Sequence, residues 1–161
     1  MQEIIDRAKE LLADKTVARV LGWKVGDLPY NPEPAYFETV ESLKDFVYNG
    51  FCGANLSKYM IEASKLEGKT MVCLKPCDTY SFNQLLKEHR VDREKAYIVG
   101  VGCKGKLDIE KIKNTGIKGI ESVEEDGDPL HIQTIYGEKT CSFADGILER
   151  CLCCKGNEHK V

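Results

Sequence analysis

No apolar run in this 161-residue chain approaches the length of about 20 residues that a membrane-spanning helix needs, so no membrane span is expected. A basic excess is also missing. Lys and Arg number 23 against 26 Asp and Glu, and the net charge of −3 excludes the electrostatic footprint of a nucleic-acid-binding protein. The single Trp and seven Tyr are not interleaved with basic residues, which argues against single-strand binding as well. The N-terminus reads MQEIIDRAKELL, acidic and amphipathic, rather than a basic stretch followed by an apolar one. A secretory leader is therefore not expected, and a cytoplasmic location is, where thiols stay reduced. Internal repeats and low-complexity tracts are absent, and the length suits a single domain over residues 1–161. Against this background eight cysteines stand out. In a reducing compartment they read as metal ligands, redox groups or small buried hydrophobes rather than a disulfide framework.

Periodicity supplies the elements. Ile4, Ile5, Ala8, Leu11 and Leu12 lie on one face of a helix over residues 2–12, and Val17–Trp23 is a β-branched, apolar strand. The Pro-rich stretch 26–34 reads as a loop, Tyr36–Val40 as a short strand and Asn55–Leu66 as a helix with Leu56, Tyr59, Met60 and Ala63 on one face. Lys69–Leu74 and Ala96–Val101 are short buried strands. Between them lies a helix carrying Phe82, Leu85 and Leu86, with Asp78 placed to cap it. Strand, helix and strand make a βαβ unit, and hence a parallel pair. A helix at 108–114, strands at 120–123 and 131–136, and a helical turn or two over 143–151 complete an α/β chain. The expected architecture is a Rossmann-like parallel or mixed sheet flanked by helices, with a cysteine-rich tail over 151–161.

Position separates the cysteines. Cys73 lies inside an apolar strand and Cys141 at a strand end, where cysteine packs as a small hydrophobe. Cys77 follows Pro76 at the C-terminal end of the first core strand, and Cys103 occupies the corresponding end of the next. Ligands bind open parallel sheets at the strand C-termini, so these two share a crevice. Cys151 and Cys154 form a C-x-x-C. Together these are four thiolates, the number that both a structural zinc ion and an iron–sulfur cluster take. Zinc sites usually combine two local knuckles, whereas here half of the set is two single cysteines on separate strand ends. That arrangement needs a preformed fold, and it suits a cluster better than a folding-linked zinc. Lys75, Lys104 and Lys155 flank three of the four positions, where they offset cluster charge or simply form a solvated surface.

The stretches YNGFCGANLSKYMIEA, MVCLKPCDTYSFNQLLKEHRVDREKAYIVGVGCKG and ILERCLCC, from about residue 48 to 154, resemble the iron–sulfur flavoprotein beta subunits of deazaflavin (coenzyme F-420)-reducing hydrogenases and their relatives. Those relatives accompany formate dehydrogenases, hydrogenases and heterodisulfide reductases in anaerobes. The resemblance implies one 4Fe–4S cluster on Cys77, Cys103, Cys151 and Cys154, electron transfer, and other redox subunits as partners. It places Cys52 at the cofactor crevice or as an exchangeable fifth ligand, and it leaves Cys153 pointing away. FAD is a further cofactor of the family. Family members continue beyond the C-x-x-C, whereas this chain ends seven residues later at Val161, so the expectation is weighted toward the cluster alone. The alternatives that stay open are a binding module with structural zinc on the same cysteines and a thiol redox enzyme using Cys151 and Cys154.

Other signals carry less. GVGCKG over 100–105 fits G-x-G-x-x-G but lacks a βαβ unit downstream, so its glycines are expected to let backbone approach a cluster and donate N–H groups to sulfur. His89, His131 and His159 are scattered, and the acidic stretch 121–128 reads as a solvated loop.

Overall fold

A computed structural model describes residues 1–156 and 158–161. Its first sheet is mixed, in the order β2-β1-β3-β4, built from β1 (Arg19–Lys24), β2 (Glu33–Phe37), β3 (Thr70–Leu74) and β4 (Ala96–Gly100). The neighbours β1/β3 and β3/β4 are parallel, and β2 runs antiparallel on the outer edge of β1. All five residues of β3 are buried, as befits a central parallel strand covered on both faces. The fold is thus α/β with a parallel core, as expected.

Helix α1 (Gln2–Ala13) buries Ala8 and Leu11, the centre of its apolar face. Between β2 and β3, a 3-10 turn over Leu56–Tyr59 runs into the one-turn helix α2 (Met60–Ala63). The apolar face expected for one longer helix survives this break, because Leu56, Met60 and Ala63 are all fully buried. Helix α3 (Pro76–Lys87) crosses from β3 to β4 and buries Phe82. Burying such a side chain stabilises the fold by about 1.5–3 kcal/mol.

Two boundaries differ from the sequence reading for identifiable reasons. Strand β2 starts at Glu33 and includes Pro34, which an edge strand tolerates because its missing N–H faces away from the ladder. Helix α3 starts at Pro76 rather than after Asp78. Proline at the first helical position loses only an N–H that would be unpaired anyway, and Asp78 becomes the third residue, reaching back to the Lys75 N–H at 3.4 Å.

The second sheet is an antiparallel meander of β5 (Ile120–Glu124), β6 (Leu130–Thr134) and β7 (Gly137–Cys141). Strand β6 alternates buried and exposed side chains along its length. With α4 (Ile109–Asn114) it builds a smaller core of Phe51, Leu107, Ile112, Leu130, Ile132 and Cys141. Strand β7 was anticipated only at its end, Cys141, because its other four residues, Gly-Glu-Lys-Thr, are exposed. The last segment is two short helices, α5 (Phe143–Gly146) and α6 (Glu149–Leu152), interrupted where Ile147 pairs with Leu107 and the Leu148 N–H reaches the Lys106 carbonyl. The acidic stretch 121–128 is not a free loop. It supplies β5, and Glu125 binds the Gly50 N–H at 2.8 Å, tying this sheet to the segment that precedes Cys52. Among the described residues no helix is long and apolar enough to cross a membrane.

Candidate cysteine site at the parallel strand ends

The parallel strands end side by side at Leu74 and Gly100, which are paired in register. Beyond β3 the chain turns directly into α3 and exposes Cys77 in its first turn; beyond β4 an irregular loop exposes Cys103. The C-terminal segment comes back to the same end of the sheet. His159 Nε2 lies 3.0 Å from the Leu74 carbonyl, and the Lys160 N–H donates to Thr79 Oγ1 at 3.1 Å.

Two glycines make close approach possible. A Cβ on Gly105, whose φ is +117°, would collide with the Ile147 side chain and come within 3.4 Å of Cys151 Cβ. The next N–H, that of Lys106, donates to Cys151 Sγ at 3.4 Å. A Cβ on Gly156 would lie 3.5 Å from Cys154 Sγ and 4.0 Å from the Cys77 backbone nitrogen, and the Gly156 N–H donates to Cys154 Sγ at 3.4 Å. The loop that carries Cys103 is thus packed on Cys151, and the tail that carries Cys154 is packed on the start of α3. The glycine-rich turn after β4 serves a cysteine sulfur, and α4 begins only at Ile109, so the turn does not open directly onto a helix as a dinucleotide fingerprint does.

The thiols differ in electrostatics. Burial raises the Cys77 thiol pKa; Asp78 raises it further, Lys75 opposes this, and Cys103 and Cys154 raise it again as like charges within range. The Cys77 thiol also points to Asp78 Oδ1 at 3.8 Å. Cys77, Cys103 and Cys154 are exposed, and Cys151 is half-buried. Among the described residues no three His, Cys, Asp or Glu side chains converge closely enough to hold a single metal ion. One tetrahedral zinc ion, with Zn–S bonds of about 2.3 Å, demands such convergence.

Cys52 sits two residues before Ala54, whose carbonyl accepts from Lys75 Nζ. It is 3% exposed, its thiol faces the Val47 carbonyl and Asn49 Oδ1, and burial pushes its pKa up to about 11. Cys73 is fully buried in β3 and is pushed up by burial to about 12; Cys141 packs in the second core. Cys153 is exposed at the end of α6.

The flanking lysines are not alike. Lys104 and Lys155 are exposed, but Lys75 is only 7% exposed. Its ammonium bonds Asp78 at 2.9 Å and the Ala54 carbonyl at 2.9 Å, and lies 4.5 Å from the centroid of the Trp23 ring. Lys75 is therefore a structural cation rather than one of the surface charges around the cysteines. The sequence reading missed this pair, although K-x-x-D across a strand-to-helix turn is the spacing that permits it. It also missed Tyr48, which packs on Trp23, donates to the Gly102 carbonyl and is held protonated by burial and then by the neighbouring thiols.

No protein-family model matches the chain. Over 99 residues it is 26% identical to the F420-dependent formate dehydrogenase subunit beta of Methanocaldococcus jannaschii, a stretch covering 62% of this chain and 26% of that protein. The chain thus spans about a quarter of the length of this curated relative. Its fold is similar to that of a chain in the F420-reducing [NiFe] hydrogenase complex from Methanosarcina barkeri, with a TM-score of 0.69 and 16% identity over 95% of this chain and 62% of that one.

Proposed function

We propose that this chain is a cytoplasmic electron-transfer unit of an oxidoreductase complex of the hydrogenase, formate dehydrogenase or heterodisulfide reductase type. In this reading residues 1–161 act as one iron–sulfur-binding domain, and Cys77, Cys103, Cys151 and Cys154 hold a single 4Fe–4S cluster. The observation that supports it is that Cys77 and Cys103 follow the ends of two adjacent parallel strands, while the segment bearing Cys151 and Cys154 packs on the Gly105–Lys106 turn and on the start of α3. Similarity to a subunit of a formate dehydrogenase and to the fold of a chain in a hydrogenase complex supports the same class of assembly.

A bound cluster of this kind supplies one-electron transfer. The chain's own residues do the rest. The four thiolates would ligate the cluster, Cys77 from the first turn of α3 and Cys103 from the loop after β4. The N–H groups of Lys106 and Gly156, already aimed at Cys151 and Cys154 sulfur, stabilise negative charge there and favour the reduced state. Cys52 closes the inner wall as a neutral thiol.

Anaerobic purification, visible absorbance and electron paramagnetic resonance of the reduced protein test the proposal. A brown protein with a paramagnetic reduced state is expected. A colourless protein that takes up no iron on reconstitution refutes it, and one zinc per chain without acid-labile sulfide favours the zinc-binding alternative.

A further inference from the structure

We infer that the buried Lys75–Asp78 ion pair is the positioning pair that sets the direction of Cys77. The inference takes its ligand, the cluster, from the function proposed above, but its geometry is independent of any metal. Lys75 and Asp78 bracket Pro76-Cys77 and are joined three times: ammonium to carboxylate at 2.9 Å, Asp78 N–H to Lys75 carbonyl at 2.9 Å, and Lys75 N–H to Asp78 Oδ2 at 3.4 Å. Pro76 fixes its own φ within this short ring. Two further bonds anchor the ring to the segment that follows Cys52: Lys75 Nζ to the Ala54 carbonyl at 2.9 Å, and Ser57 Oγ to the Asp78 carbonyl at 2.8 Å. Lys75 and Asp78 are 7% and 3% exposed, whereas Cys77 between them is exposed. The pair faces inward and the cysteine outward.

The chemistry separates positioning from other roles. An ammonium has three N–H donors. Those of Lys75 are taken up by Asp78, the Ala54 carbonyl and the Trp23 ring face, so none is left for a ligand. The pair is neutral as a unit, so it adds no net charge beside the cysteines. A buried ion pair is also weak as a source of stability, since apolar residues of similar volume often do as well. What apolar residues do not reproduce is a directional cross-link across the one exposed cysteine of this turn.

The test uses the full-length chain with Lys75→Met/Asp78→Asn, which removes both charges together. The introduced asparagine retains an acceptor for the Lys75→Met backbone N–H, so no buried charge is left unpaired. Lys75→Arg is the conservative control. In metal-free protein, amide exchange at residues 78–80 is expected to accelerate about ten-fold in the double variant while α1 exchanges as in wild type. In reconstituted protein, loss of iron to a chelator is expected to accelerate roughly ten- to hundred-fold, with an unchanged reduction potential and near-wild-type retention in Lys75→Arg. Wild-type exchange and wild-type iron retention in the double variant overturn the inference. A shifted potential with normal retention also overturns it, because the pair then acts through charge. If the wild-type chain itself takes up no iron, the cluster proposal fails, and the metal-free exchange still decides the positioning role.

Discussion

Cys73 and Cys77 are separated by one turn of chain and have opposite fates. Cys73 lies in the middle of β3, fully covered, its thiol pushed up to about 12. Cys77 lies just beyond the strand end, exposed and within electrostatic range of two other thiols. The same side chain is a small hydrophobe in one place and an available ligand in the other. What differs is position along a parallel strand: the interior is buried on both faces, and the C-terminal end opens onto a crevice.

The largest expected effect separates these two cysteines directly. Cys77→Ser in the full chain is expected to lose most of the iron taken up on anaerobic reconstitution, whereas Cys73→Ala retains it, with iron and acid-labile sulfide content as the measurement. Equal loss from both variants would erase the distinction. Next comes thiol reactivity. At about pH 8, alkylation followed by mass spectrometry of metal-free protein is expected to modify Cys77, Cys103, Cys153 and Cys154 in the folded chain, but Cys52 and Cys73 only after unfolding.

A smaller effect concerns pH. The folded pKa values of Cys52 and Cys73, about 11 and about 12, lie above the ordinary thiol value of 9.0. The fold therefore favours the neutral thiols. Their contribution is fully present below the unfolded value and is lost as pH rises through the folded ones. Denaturation midpoints of metal-free protein are expected to fall between about pH 9 and pH 12, and to fall less steeply in Cys73→Ala. The smallest effect is the packing of Cys73 itself. Cys73→Ala is expected to cost about 1 kcal/mol at neutral pH, comparable to losing one buried methyl group and measurable by denaturant titration.

Much of this contrast is legible in the sequence, because it follows from local pattern. KTMVCL and AYIVGV are apolar, short and bounded by turn residues, so the βαβ unit and the positions of Cys73, Cys77 and Cys103 along it can be read directly. Other features depend on contacts between distant segments. The antiparallel meander was only partly readable, since β7 is mostly polar and its strand character comes from pairing with β6. Glu125 looked like a solvated charge, because its partner is the Gly50 N–H across the chain. The buried state of Lys75 was hidden for a related reason: lysine is an exposed residue by default, and only the fold brings Asp78, Ala54 and Trp23 around it. The four candidate cysteines follow from position along the chain, whereas the glycine contacts and the fold-back of the tail are visible only in three dimensions.

The central proposal, a cluster held where two parallel strands end, is tested most directly by the iron and acid-labile sulfide content of anaerobically prepared full-length protein. Iron and sulfide in comparable amounts, both lost in Cys77→Ser, are the expected result. Zinc without sulfide, or iron that survives removal of Cys77, would contradict it.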